Sequence, residues 1–409
     1  MSDSGDSFTE VTTQSWFSRL GNAIGGIVFG VILFIVAFPV LWWNEGRAVK
    51  THQALVEGAA AVVHVEADKA DPANQGKLVH LSGQSHVSSA ITDPQLAVAA
   101  AALRLQRKAE MYQWKQHEET KTEKTLGGGS ETTTTYTYNK VWSDDVINSG
   151  SFKKPAGHEN PGSMPIASYT VDHDSATVGA FTLPVAMVKE LSNFVPLSAT
   201  EQDLSKAQKT FGSTLRLDAG GFYLPRAAAS AAGATTAPTT TEPQIGDVRV
   251  KFSVIQPGPV SLIAKQNNAT FEPWSARNGR AISIISPGTL TAEAMFQQQE
   301  RNNTILTWVL RLVGTFVMFL GISMVLKPLS VLADVIPILG DLVEMGTSLI
   351  AVTIAVPLSL ITIAMAWVFY RPVLGILVLA VAAIVGYFCY SNLQRRRMIH
   401  SNTAPPLPG

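Results

Sequence analysis

Four uninterrupted apolar stretches stand at the two ends of the chain, and everything between them is polar or alternating. Residues 20–43 carry no charge, and about 20 apolar residues are what a helix needs to cross ~30 Å of hydrocarbon. A cleaved signal peptide would have a shorter core, about 7–15 residues, and a small-residue cleavage site. Here Trp42 and Trp43 lead into Asn44, Glu45 and Arg47, an interfacial aromatic anchor followed by a polar exit. Three further spans are predicted at 304–326, 342–370 and 373–390. Arg311 lies close enough to the start of the second span to be expected to snorkel to the headgroups. Pro357 is expected to kink the third, since proline removes a helix hydrogen bond.

Between residues 44 and 303 the period changes from helical to two, with Gly, Pro, Asn and Asp as punctuation. The clearest predicted strands are Ala60–Glu66, Leu78–Gly83, Leu103–His117, Thr132–Trp142, Val178–Leu183, Asp247–Ile255 and Val260–Lys265. Met111 and Gln113 should face one side, Tyr112 and Trp114 the other. The GGGS stretch from Gly127 joins two strands as a long hairpin. Short helices are expected after the Asp93–Pro94 start signal and from Thr291 to Asn302. Residues 226–243 read as a mobile Ala/Thr/Pro loop.

The fold class is therefore α+β: four transmembrane helices, one N-terminal and three C-terminal, flanking a large mainly-β domain at 44–303. An even number of crossings puts both termini on one side. Arg19 before the first span and Arg395, Arg396 and Arg397 after the last place that side in the cytoplasm. Tails 1–19 and 391–409 are then cytoplasmic and the β domain extracytoplasmic. The connection 327–341 is expected to face the cytoplasm, with an interfacial helix as one reading of it.

Composition narrows the function classes. The 31 basic and 31 acidic residues balance, which gives no basic excess for nucleic acid. The one cysteine, Cys389, lies in the last apolar run, so no intrachain disulfide or cysteine-based zinc site can form. The Ala-rich, Lys-poor sequence favours a bacterial inner membrane; in a eukaryote the endoplasmic reticulum or inner nuclear membrane would correspond.

Candidate chemistry is sparse. Gly21, Gly25, Gly26 and Gly30 give four-residue spacings that let a second helix approach the first span. Asp334, Asp341 and Glu344 fall on one helical face and are candidates for an ion pathway or for the wet face of an interfacial helix. His158 with Glu159, Asp144 and Asp145 is the nearest thing to a metal cluster, but His158 sits in a Gly-His-Glu-Asn-Pro turn. No zinc-peptidase pair, serine elbow, phosphate loop or dinucleotide fingerprint occurs. No catalytic residue, metal or cofactor is assigned.

Six separated stretches, in order, carry a family resemblance: WNEGRAVK from Trp43, AEMYQW from Ala109, Tyr136 to Trp142 with DDVINS, GHENP from Gly157, GDVRV from Gly246, and WVFYRP from Trp367. Together they resemble the transmembrane protein 43, or LUMA, family. The resemblance implies a non-enzymatic membrane scaffold that self-associates and binds membrane lipids and other membrane proteins. It also singles out Asn44, Glu45, Gly46, Arg47, Tyr370, Arg371 and Pro372 as motif positions at membrane boundaries. An ion channel or channel regulator is the alternative reading, and a metal-dependent hydrolase a weaker third.

Overall fold

A computed structural model describes residues 7–226 and 242–371. The predicted span 373–390, the C-terminal tail, Pro372, Cys389 and nearly all of the loop 226–243 lie outside the described residues. The chain divides into two compact units. One, β-rich, holds residues 1–13, 54–123 and 131–299; the other, helical, holds 14–53, 124–130 and 300–409.

The β-rich unit contains two main sheets. In the larger, of eight strands, the order is Ser7–Gln14, Ser130–Ser143, Arg104–Lys124, Val248–Ile255, Gly221–Leu224, Arg216–Asp218; Val195–Leu197 and Tyr169–Asp172 pair off this path. The long strand alternates as its sequence predicts. Leu105, Ala109, Met111 and Gln113 are buried, while Tyr112 and Trp114 are only partly so. Gln113 is polar yet inaccessible, and both ends of its amide are used: Nε2 donates to the Asp145 carbonyl at 2.8 Å and Oε1 accepts from the Ile147 amide at 2.8 Å. Antiparallel pairing sets Val250 against Ala109 and Val248 against Met111, so the buried face is continuous across strands. Phe222, Leu215 and Ile166 complete this core.

A second sheet, of seven strands, has Leu78–His86 and Pro259–Asn267 at its centre. Leu81, Phe181, Leu183 and Leu262 fill its core. On this sheet also pack Ala54 and Leu55 from the end of the first long helix and Met295 and Phe296 from the start of the second.

Among the described residues three helices are long and apolar enough to cross a membrane, lying within Trp16–Ala61, Ala292–Ala333 and Ile338–Tyr370. Only 17%, 17% and 28% of their most apolar windows are buried within the molecule, which leaves broad apolar surface that water would not tolerate. Lipid is the solvent that fits.

Several boundaries differ from the sequence reading. Residues 60–61 end the first helix, and only Val63–His64 remains of the predicted strand there. Asp93 does accept from the Gln95 and Leu96 amides, but positive φ at Ala97 turns the chain back before a helix can start. Among the described residues two unpredicted α-helices occur, Val185–Glu190 and Glu201–Phe211, the latter started by a Thr200/Asp203 capping box. The connection 327–341 is no separate interfacial helix: the second long helix runs through Pro328 to Ala333, and after a short turn the third begins at Pro337. Pro357 is accommodated within one continuous helix.

Candidate functional site

Within the helical unit, the three long helices share a polar knot built from the motif residues at the end of the first apolar run. The first helix presents Asn44, Glu45, Arg47 and Ala48; the second presents Asn303, Thr307 and Arg311, spaced four apart and so stacked on one face. The third contributes Trp367. Arg311 grips Glu45 with two parallel bonds, Nε to Oε1 at 2.7 Å and a terminal nitrogen to Oε2 at 2.9 Å. The Trp367 indole donates to Glu45 Oε2 at 2.7 Å. Side-chain exposures of 2% for Glu45 and 13% for Arg311 make this a buried, bidentate pair. The guanidinium also lies 4.7 Å from the Trp308 ring centroid and 5.5 Å from that of Trp367.

Arg311 therefore does not snorkel. A carboxylate on the neighbouring helix offers a full opposite charge in a low-dielectric setting, and the cation sits over two tryptophan rings.

Around that pair further polar groups bond to one another. Asn44 donates to the Thr307 carbonyl at 3.1 Å; Arg47 donates to Asn303 Oδ1 at 3.0 Å and to Thr307 Oγ1 at 2.9 Å. Asn303 in turn donates to the Ala48 carbonyl at 3.1 Å. A cavity of about 120 Å³ opens beside the knot, with Glu300, Thr304 and Arg371 on its lining. Gly46 has a packing reason: a Cβ there would stand 2.6 Å from the Tyr370 ring. Trp42 closes the same corner against Phe369 and Tyr370. Six of the seven motif positions thus fall in or beside one cluster, and Pro372 lies outside the described residues. Asn303 and Thr307 carry no signal by which the sequence reading finds them, because each is unremarkable until its helix is placed; Trp367 opens the WVFYRP stretch, but its bond to Glu45 is visible only in the fold.

Of the four glycines in the first span, Gly30 meets the second long helix. A Cβ on it would lie 2.8 Å from the Gly321 carbonyl, and one on Gly321 would lie 2.6 Å from the Phe34 nitrogen. Gly26 has only Met324 nearby, and nothing stands within 4 Å of a Cβ on Gly21 or Gly25. The close helix approach is thus made within the chain.

The acids Asp334, Asp341 and Glu344 do come together, but on cations. Lys124 reaches all three, at 2.9, 2.7 and 2.9 Å. Arg19 binds Asp334, and Lys327 binds Glu344 at 2.6 Å. Burial disfavours the charged form of Lys124, yet its bonds to Asp341, Asp334 and Glu344 outweigh this and raise its pKa above the ordinary lysine value. Arg19 also donates to the Gly128 carbonyl, and Trp16 to that of Val331 at 2.8 Å. Three acids and three cations leave no surplus negative charge to draw ions.

The hairpin tip at Lys124–Ser130 and the 327–341 connection, read from sequence as lying on opposite sides of the bilayer, meet in this cluster. With Cys389→Ser as background, single cysteines at Leu126 and Asp341 are expected to react with an impermeant maleimide from the same side of sealed vesicles. Reaction from opposite sides would break the cluster.

His158 is not a metal ligand in this arrangement. Its ring stacks on Tyr138 at 3.9 Å, stands edge-on to Trp114 at 4.8 Å, and its Nδ1 contacts the Lys154 carbonyl. Among the described residues no group of three or more His, Cys, Asp and Glu is placed to hold a metal ion.

The family described as Transmembrane protein 43 matches residues 111–372. The chain is 32% identical to Transmembrane protein 43 of Homo sapiens over 380 residues, 90% of either chain, and 32% identical to that of Rattus norvegicus over 368 residues, 87% of either. A Drosophila melanogaster homolog is 29% identical over 87% of this chain and 92% of its own length. No solved structure matches. An apolar three-helix set tied by the motif residues, and a match spanning both units, make this integral membrane protein a member of the transmembrane protein 43 family.

Proposed function

We propose that the protein is a non-enzymatic membrane scaffold: the helical unit anchors it, and the β-rich unit binds protein or lipid partners and further copies of the chain. The observation that carries this reading is the outer face of the eight-stranded sheet. There the cross-strand register aligns Arg216, Tyr223, Arg249 and Glu110 in one row. The Arg249 guanidinium lies 4.5 Å from the Trp142 ring, and that of Arg216 lies 4.5 Å from Tyr223. Trp142 also stands 5.1 Å from Tyr112. Tryptophan, tyrosine and arginine are the residues that carry most energy at protein interfaces, since each joins large apolar area to a polar tip.

The Arg19 and Arg395–Arg397 bias supports a β-rich unit facing away from the cytoplasm, in a bacterial inner membrane or the equivalent eukaryotic one. The hairpin-tip cluster opposes that placement for residues 124–130 alone, and the same-side labelling decides between them.

Crosslinking with mass spectrometry in native membranes tests the reading. Lys108 and Lys251, paired across this face, are expected to crosslink to a partner or, with isotope-mixed protein, to another copy. The Trp142→Ala/Arg249→Ala variant is expected to lose at least tenfold of that yield. Unchanged yield, or a strictly monomeric protein with no crosslinks, overturns the scaffold reading. Currents in planar bilayers that change with Asp341→Ala would favour a channel instead.

A further inference from the structure

The β-rich unit holds a pair of histidines that neither the scaffold reading nor the polar knot uses. Val63–His64 and Leu78–His86 pair in parallel, with His64 directly beside His80, so both imidazoles leave the same face of the sheet. Their Nδ1 atoms lie 3.0 Å apart. His80 Nε2 donates to the Leu290 carbonyl at 2.9 Å, which fixes its tautomer and leaves Nδ1 to accept the hydrogen bond from His64 Nδ1. That carbonyl is itself held in place. Ser82 donates to it at 3.3 Å, and the Leu290 amide donates to Ser261 at 2.8 Å.

Histidine ligands of metals nearly always show this arrangement, one ring nitrogen anchored to a carbonyl or carboxylate and the other aimed at the ion. Metal–nitrogen bonds of about 2.0–2.1 Å across the observed 3.0 Å separation close an angle of roughly 95°, within what divalent transition metals accept. The pair opens into a cavity of about 480 Å³ also lined by Ser82, Thr289, Thr291 and Glu293. Glu293 is within electrostatic reach of His80, and its carboxylate is engaged by Thr291. His80 is 4% exposed, and this burial disfavours its charged form and lowers its pKa from the ordinary value.

The structure brings only the two histidines together; we propose that they chelate a divalent transition-metal ion through their Nδ1 atoms, the shared proton passing to His64 Nε2, with the Glu293 carboxylate swinging in from Thr291 as third ligand and water completing the shell. His64 follows the end of the first long helix at Ala61, and Glu293 lies in the first turn of the second, which starts at Ala292. A bound ion would clamp that exit and that entry together on the central strand Leu78–His86.

Isothermal titration of Zn²⁺ into chelator-stripped, detergent-purified full-length protein at pH 7.5 tests the site. One ion per chain is expected. His64→Ala, at an exposed edge position, should weaken binding at least tenfold, Glu293→Gln severalfold, and His117→Ala on an exposed strand not at all. For the unmodified protein, lowering the pH to 5.5 should weaken binding at least tenfold, a readout independent of any variant's folding. No Zn²⁺ uptake, or uptake equal in wild type and His64→Ala, overturns the site; equal affinity in Glu293→Gln overturns the third ligand.

Discussion

Glu45→Ala is expected to destabilise the helical unit by about 3–5 kcal/mol, read as a lowered midpoint of thermal unfolding in detergent or nanodiscs. The variant removes both of the carboxylate oxygens that Arg311 grips, and it leaves the Trp367 indole without its acceptor. A guanidinium with 13% side-chain exposure then has no opposite charge in a low-dielectric setting. Arg311→Met should cost a similar amount, because the buried Glu45 would be the stranded charge. Combining Glu45→Gln with Arg311→Met should restore most of the loss, since neither side chain then carries a charge to desolvate. Single variants no worse than surface substitutions would mean that water or headgroups reach the pair and that the knot is not closed.

Gly321→Leu is expected to cost about 3 kcal/mol, the upper end for overpacking, because what a new side chain meets is backbone. A Cβ there falls 2.6 Å from the Phe34 nitrogen and 2.7 Å from the Gly30 carbonyl. No rotamer change relieves such a contact; the first and second helices must separate. Gly25→Leu, where nothing stands within 4 Å, should be nearly neutral for the fold, and the pair of variants measured by the same unfolding assay isolates the helix crossing. If Gly25→Leu instead abolished crosslinking between copies while leaving the midpoint unchanged, the open glycine face would be the self-association surface.

Much of the β-rich unit could be read before folding because its signals are local. In the strand from Arg104, every second residue is either apolar or a polar group that its neighbours can satisfy. Alternation alone therefore chose which of Met111 and Tyr112 faces inward. The Glu201–Phe211 helix is not among the predicted ones although its Thr200 and Asp203 cap is visible in sequence and Leu204, Ala207 and Phe211 keep a spacing of three and four; in so short and polar a segment that narrow stripe reads as easily as loop. The Asp93 signal failed in the opposite way: the cap bonds form, but the following residues turn back, and a cap cannot propagate a helix by itself.

The candidate site was legible only in part. Asn44, Glu45 and Arg47 stood out as a polar exit from an apolar run, yet nothing in the order of residues told Glu45 that its partner lies 266 positions away on another helix. Arg311 looked like a charge near a membrane surface, for which reaching out to headgroups is the cheaper course when no carboxylate is near. Lys124 and Asp341, 217 residues apart, give no hint of one another either.

What this sequence settles alone is solvent and periodicity: which stretches belong in hydrocarbon, which alternate into strands, and that their polar flanks sit at a boundary. These follow from runs of neighbouring residues, whose hydrophobicity and spacing act over a few turns or a few strand positions. Pairing of charges, the Gly30–Gly321 contact and the meeting of His64 with His80 were decided by tertiary structure. Those depend on which distant segments are brought within a few ångströms, and electrostatic and steric energies are set at that range.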